Sequence, residues 1–145
     1  MKISGSNVVP LPPAKTYDML QDPEVLARSM PGCQSLDKVG EDEYKMKMKM
    51  VLAAVSGNFD GTVKIVDRTP EGYRLLVEGT GKIGFMKGQG ALSFNTHDQG
   101  TEVVYDGDVQ VGGTIAAVGQ RLVDATAKMM IKRFFKKLMN AEAEE

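Results

Sequence analysis

The 145-residue chain is 42% apolar and carries 18 basic against 19 acidic residues, a net charge of −1. That is the length of one domain, with enough apolar surface for a single core, and its even charge balance excludes a global field that would hold it on DNA or on an acidic membrane. The single cysteine, Cys33, excludes an intramolecular disulfide and a CxxC metal clip. With no export signal and no run of about 20 apolar residues, the expected location is the cytoplasm.

The first segment, Lys2 to Val9, alternates loosely and stops at Pro10, Pro12 and Pro13, which predicts a strand ended by a proline run. A helix is expected from Pro13, and Asp22-Pro23 caps a second short helix before Pro31-Gly32. After Cys33 the period becomes two. In Tyr44-Lys45-Met46-Lys47-Met48-Lys49-Met50 lysines and methionines fall on opposite faces of a strand. The alternation returns from Phe59 to Ile65, Tyr73 to Glu78, Ala91 to Phe94 and Thr101 to Asp106, with turn residues between the runs. Short connections between half-buried strands describe an antiparallel meander.

Glycines such as Gly79, Gly81, Gly84, Gly88, Gly90, Gly107, Gly112 and Gly113 lie inside or beside these strands. They are expected to mark bulges and coiling, hence a strongly curved sheet of six or seven strands. From Ala116 to Ala141 there is no proline, and Val118, Leu122, Ala125 and Met129 fall at helical spacing, which predicts one long helix covering the sheet. The acidic end, Glu142 to Glu145, reads as a frayed tail.

Residues able to do chemistry are few. His97, the sole histidine, stands beside the Asp98-Gln99-Gly100 turn and reads as a solvated turn residue. Cys33 reads as a buried structural thiol, and one cysteine with one histidine makes no zinc set without carboxylates, so no metal is expected. Asp106 and Asp108 share the wet face of their strand; only a bulge at Gly107 would turn one inward as an acid or base. Gly88-Gln89-Gly90 lacks the lysine-serine ending of a phosphate loop. No catalytic residue is assigned.

Several motifs together carry a resemblance over nearly the whole chain. They are Asp22-Pro23-Glu24-Val25-Leu26-Ala27-Arg28 leading to Pro31-Gly32-Cys33; Gly88-Gln89-Gly90; Tyr105-Asp106-Gly107-Asp108-Val109-Gln110-Val111-Gly112-Gly113; and Gly119-Gln120-Arg121-Leu122-Val123-Asp124. The chain resembles the CoxG proteins of carbon monoxide dehydrogenase, within the START-like, pollen-allergen-like superfamily (SRPBCC). The resemblance implies a single α+β domain over 1–145 with the helix-grip fold: a curved antiparallel sheet wrapped around a long C-terminal helix, with a cavity between them. It further implies work beside a molybdenum-containing dehydrogenase of the carbon monoxide dehydrogenase type, through recruitment to the membrane or handling of a lipid or quinone. No covalently bound cofactor is expected.

The apolar faces supply the candidate site. Alone they are equally consistent with an ordinary filled core; the resemblance and the ten methionines, flexible and polarisable side chains suited to a guest, favour a cavity. Expected on its sheet side are Met48, Met50, Phe59, Val63, Tyr73, Leu75, Phe85, Phe94, Tyr105 and Val109, with Leu122 and Met129 as the helical lid. Near the helix end, Lys132, Arg133, Lys136 and Lys137 gather on one side and Ile131, Phe134, Phe135 and Leu138 on the other, a stripe rotated from that of Val118 and Leu122. Lys132, Arg133, Phe134, Phe135, Lys136 and Lys137 are therefore candidates for an anionic membrane surface or a partner protein, the alternative being that Phe134, Phe135 and Leu138 pack on the short N-terminal helices. Nucleic acid is not expected, since the basic run is short and lacks an aromatic stacking platform. Three functions compete: carrier of a hydrophobic molecule, membrane-recruitment adaptor, and a cyclase- or dehydratase-like enzyme using Tyr105 or Asp106.

Overall fold

The structure is a computed structural model that describes residues 1–52 and 55–143. Its elements run β1 (Lys2–Val9), α1 (Pro13–Met19), α2 (Pro23–Ser29), β2 (Cys33–Gly40), β3 (Glu43–Leu52), β4 (Val55–Thr69), β5 (Gly72–Gly81), β6 (Gly84–His97), β7 (Gly100–Gly112), α3 (Thr114–Ala117) and α4 (Gln120–Ala143). Glu144 and Glu145, part of the expected acidic tail, lie outside the described residues.

All seven strands form one antiparallel sheet in the order β1-β7-β6-β5-β4-β3-β2. The meander from β2 to β7 follows from the short turns, and β1 closes the order beside β7, Val9 opposite Thr101. This is the expected helix-grip architecture, α4 lying across the concave face. The bulges are not where the glycines are. Register shifts fall between Cys33 and Ser35, Lys38 and Gly40, and Val66 and Thr69, whereas the glycine-rich β5–β6 and β6–β7 ladders run unbroken.

Local chemistry sets the helix boundaries. Pro13 opens α1, and Asp22 caps α2 by accepting the Glu24 N–H at 3.0 Å, with Pro23 at the first helical position. The helix expected from Ala116 is two helices. Gly119, at φ 101°, separates α3 from α4, a conformation that stops the hydrogen-bond ladder and that glycine adopts freely.

At one end of the sheet the loops are tied together. Arg68 donates from Nε to Asp42 at 2.9 Å, and through its terminal nitrogens to Asp42 and Gln21. Its guanidinium stands 5.7 Å from the centre of the Tyr73 ring. The Arg68 hydrogen bond holds the Asp42 carboxyl below its usual range. Underneath, Tyr17, Tyr73 and Phe94 make a close aromatic triad with centroids 5.0, 5.2 and 5.4 Å apart.

The phase of α4 differs from expectation. Its inward residues are Val123, Thr126, Ala127, Met130, Ile131, Phe134, Phe135 and Leu138, which keep one helical face throughout. Leu122 and Met129 turn away, Met129 being 41% exposed, because the aromatic anchors at the far end fix the rotation of the whole helix. The apolar stripe does not change direction. Phe135, 4% exposed, stacks on Tyr105 with centroids 6.2 Å apart, and Leu138 and Val25 join the same core.

Two stability measurements check this packing. Phe135→Ala should cost about 3–4 kcal/mol in urea unfolding and Met129→Ala less than about 1 kcal/mol; the reverse order would put the helix in the other phase. The Tyr73 hydroxyl is buried without a hydrogen-bond partner. Tyr73→Phe is therefore expected to be neutral or to stabilise by about 1 kcal/mol, and a loss of that size would show that the hydroxyl is bonded.

Candidate functional site

The concave face is built from cross-strand rows in which large and absent side chains alternate. One row runs Met46, Gly61, Gly79, Met86, Val111; the next runs Tyr44, Val63, Val77, Gly88, Val109; a third runs Ile65, Leu75, Gly90, Gly107, Ile3. Cross-strand partners share a face, so the glycines sit side by side and thin the floor. Methionines lean over them: a Cβ on Gly61 would meet Met46 Cγ at 3.1 Å, and one on Gly79 would meet Met86 Cγ at 3.2 Å.

Between this floor and the inner face of α4 lies a cavity of about 430 Å³. Leu20, Leu26, Met30 and Leu36 close it on the side of α1, α2 and β2, where Tyr44 donates its hydroxyl to Gln21 O at 2.7 Å. Phe134 and Phe135, edge to face at 5.4 Å, close it beneath the end of α4. Above are Val123, Thr126, Ala127, Met130 and Ile131. A shallower hollow of about 480 Å³ adjoins it, sharing Met1, Val109, Val111 and Val123 and reaching outward past Gln110 and Gln120.

Of the residues expected on the sheet wall, Met48, Met50, Phe59, Val63, Leu75, Tyr105 and Val109 stand on it. Tyr73 and Phe94 do not: α1 covers that stretch of the sheet, and both are consumed in the triad with Tyr17. Phe85 is one residue out of phase with the inward Met86; it lies over Gly112 and is 48% exposed. Leu122 and Met129 are outside the lid for the reason of helix phase. Phe134 and Phe135, expected at a membrane or partner surface, are wall and core; Lys132, Arg133, Lys136 and Lys137 are exposed on the opposite face.

Several wall residues carry no local signal in the sequence. Met30 and Leu26 belong to a helix whose docking no local pattern announces. The α4 lining was available in the steps Val123, Ala127, Ile131, Phe134, Leu138, a continuous stripe that competes with Val118-Leu122-Ala125-Met129 and wins by bulk.

The cavity is electrostatically quiet. Glu78, Gln89 and Asp106 border it, yet their side chains are exposed on the convex side, Glu78 toward Lys87 at 3.6 Å and Gln89 toward Arg74 at 3.4 Å. Asp108 also faces out, and His97 sits in the β6–β7 hairpin, its Nδ1 accepting the Gln99 N–H at 3.1 Å. Cys33 is half-buried, and burial raises its thiol pKa. Among the described residues no group of three or more His, Cys, Asp or Glu is arranged for a metal, and no helix is long and apolar enough to cross a membrane.

Comparison with known proteins places this geometry. No curated protein matches the sequence. Among solved structures, a conserved protein from Geobacillus kaustophilus is 34% identical, with 99% of this chain and 96% of that one covered and a TM-score of 0.92. Similar in fold alone are Ara h 8.0201, 17% identical over 100% and 99% of the two chains (TM-score 0.67), and the ZhuI aromatase/cyclase from Streptomyces sp. R1128, 15% identical over 99% and 93% (TM-score 0.67). Residues 5–142 match the CoxG family of carbon monoxide dehydrogenase. An arched sheet gripping a C-terminal helix is thus a fold shared with proteins of very different sequence, and the chain itself belongs to the carbon monoxide dehydrogenase CoxG family.

Proposed function

We propose that this chain is a non-enzymatic binder and carrier of an uncharged hydrophobic molecule, a neutral lipid or an isoprenoid quinone, working beside a molybdenum-containing enzyme of the carbon monoxide dehydrogenase type. The observation that carries the reading is the cavity of about 430 Å³ walled by methionine, aliphatic and aromatic side chains. Its size is in the range of small-molecule sites, about 300–1,000 Å³. Its lining selects by polarity. No charged side chain among the described residues turns into it, and an unpaired carboxylate in such surroundings costs several kcal/mol. A fatty acid would therefore have to keep its head outside, whereas an uncharged ring or ester enters whole. The dehydrogenase association rests on the family description.

A membrane-facing role is favoured by the outer side of α4, where Lys132, Arg133, Lys136 and Lys137 are exposed near the exposed Met129. Such a face suits the anionic inner surface of a membrane from which an apolar cargo is collected. Enzymatic use of the cavity has less support, because Asp106 lies on the convex side and leaves Tyr105 without a carboxylate partner inside.

Binding is tested by filling the cavity from above. Ala127→Phe should weaken binding of a short-chain isoprenoid quinone at least tenfold in calorimetry while far-UV circular dichroism stays unchanged; undiminished affinity in the folded variant removes the cavity as the site. A long-chain alcohol should bind at least tenfold more tightly than the carboxylate of equal length at pH 7, and equal affinities would overturn the selection for uncharged cargo. For the membrane role, changing Lys132, Arg133, Lys136 and Lys137 together to Gln should abolish cosedimentation with vesicles containing phosphatidylglycerol, and about 0.5 M salt should do the same to the unaltered protein.

A further inference from the structure

One corner of the molecule concentrates sulfur. Met46, Met48 and Met50 occupy alternate positions of β3 and all three stand on the cavity wall, their Cα atoms about 6.7 Å apart along the strand. On the neighbouring edge strand β2, Cys33 is the Cα partner of Met48. Such partners share a face, with Cβ atoms about 4.5–5.5 Å apart. A fourth thioether is near: Met30 lines the same cavity, and its carbonyl accepts the Cys33 N–H at 3.2 Å.

The thiol is free, half-buried and held only by a weak contact of Sγ with Ser35 O at 3.4 Å. Methionine side chains have three rotatable bonds, so sulfurs whose Cα atoms are two residues apart can converge on one point. The set contains no oxygen or imidazole ligand. Hard cations such as Mg²⁺ and Ca²⁺ have nothing to bind, and zinc lacks its usual complement of thiolates and histidines. Thioether with thiolate is the donor set that selects Cu(I).

We propose that Cys33 with Met46, Met48 and Met50 forms a binding site for a soft monovalent cation, Cu(I) in particular. As the sulfur–copper bond forms, the Cys33 S–H bond breaks and its proton passes to solvent; copper stays in the +1 state throughout. The thiolate charge cancels that of the cation, so a neutral adduct rests in the apolar wall. That neutrality separates this cluster from a bare set of thioethers, which would leave a buried positive charge uncompensated.

The test uses the full chain under anaerobic conditions, with Cu(I) supplied as its acetonitrile complex and bicinchoninate as the coloured competitor. The expected result is one Cu(I) per chain. Cys33→Ser and the triple variant Met46→Leu, Met48→Leu, Met50→Leu, which nearly preserves volume, should each weaken it at least tenfold. The proposal is overturned if the unaltered chain competes no better than the triple variant, or if Cys33→Ser abolishes binding while the triple variant retains it, the mark of a simple thiol adduct. Should the triple variant lose its native circular dichroism, methyl NMR of the unaltered protein decides with Ag(I) as a redox-inert probe. Shifts at the Met46, Met48 and Met50 methyls with those of Met19 and Met139 unmoved support the site; uniform shifts, or none, overturn it.

Discussion

The hollow depends on where α4 is held. Phe135 stacks on Tyr105, and Leu138 is fully buried in the core shared with Val25, so the end of the helix is fixed and the remainder is carried as a beam over the sheet. A wide concave apolar face needs covering, and one helix about 10 Å across cannot reach all of it. Bulk collected at one end, in the Tyr17, Tyr73 and Phe94 triad and around Phe135, leaves too little elsewhere to fill the arch. The cavity is the remainder of that imbalance.

The floor adds to it. Rows that place Gly61 beside Gly79 and Gly90 beside Gly107 remove side chains where the sheet curves most closely toward the helix. Met46 and Met86 lean across the gaps without filling them rigidly. Packed interiors resist shape change because their side chains occupy fixed rotamers; a wall of thioethers over glycine is the local exception.

Much of the fold was legible because it rests on short-range signals. The Lys-Met alternation of residues 45–50 sets the two faces of β3, and Asp22-Pro23 sets the start of α2. What was hidden is long-range. Val118-Leu122-Ala125-Met129 and Val123-Ala127-Ile131-Phe134 are both helical stripes, and only the docking of Phe135 against Tyr105, far back along the chain, chooses between them. The same reason puts Tyr73 and Phe94 on the cavity wall when the sequence is read alone: their parity along the strands is inward as expected, but nothing local reveals that α1 lies over them. Phe85 is a different failure, a one-residue shift in a segment where Gly84, Gly88 and Gly90 blur the alternation.

The placement of β1 against β7 has a consequence for how the chain is made. Val9 finds its partner Thr101 about 90 residues further along, and a ribosome adding about 5–20 residues per second takes roughly 5–20 s to supply it. Through that interval the first strand has both edges unpaired and the meander from β2 onward grows with its greasy side facing water, since the helix that covers it is translated last. The molecule is therefore completed in a single late step, when β7 receives β1 and α4 closes over both. Until then the nascent chain presents to its surroundings the same apolar trough that the finished protein reserves for a guest.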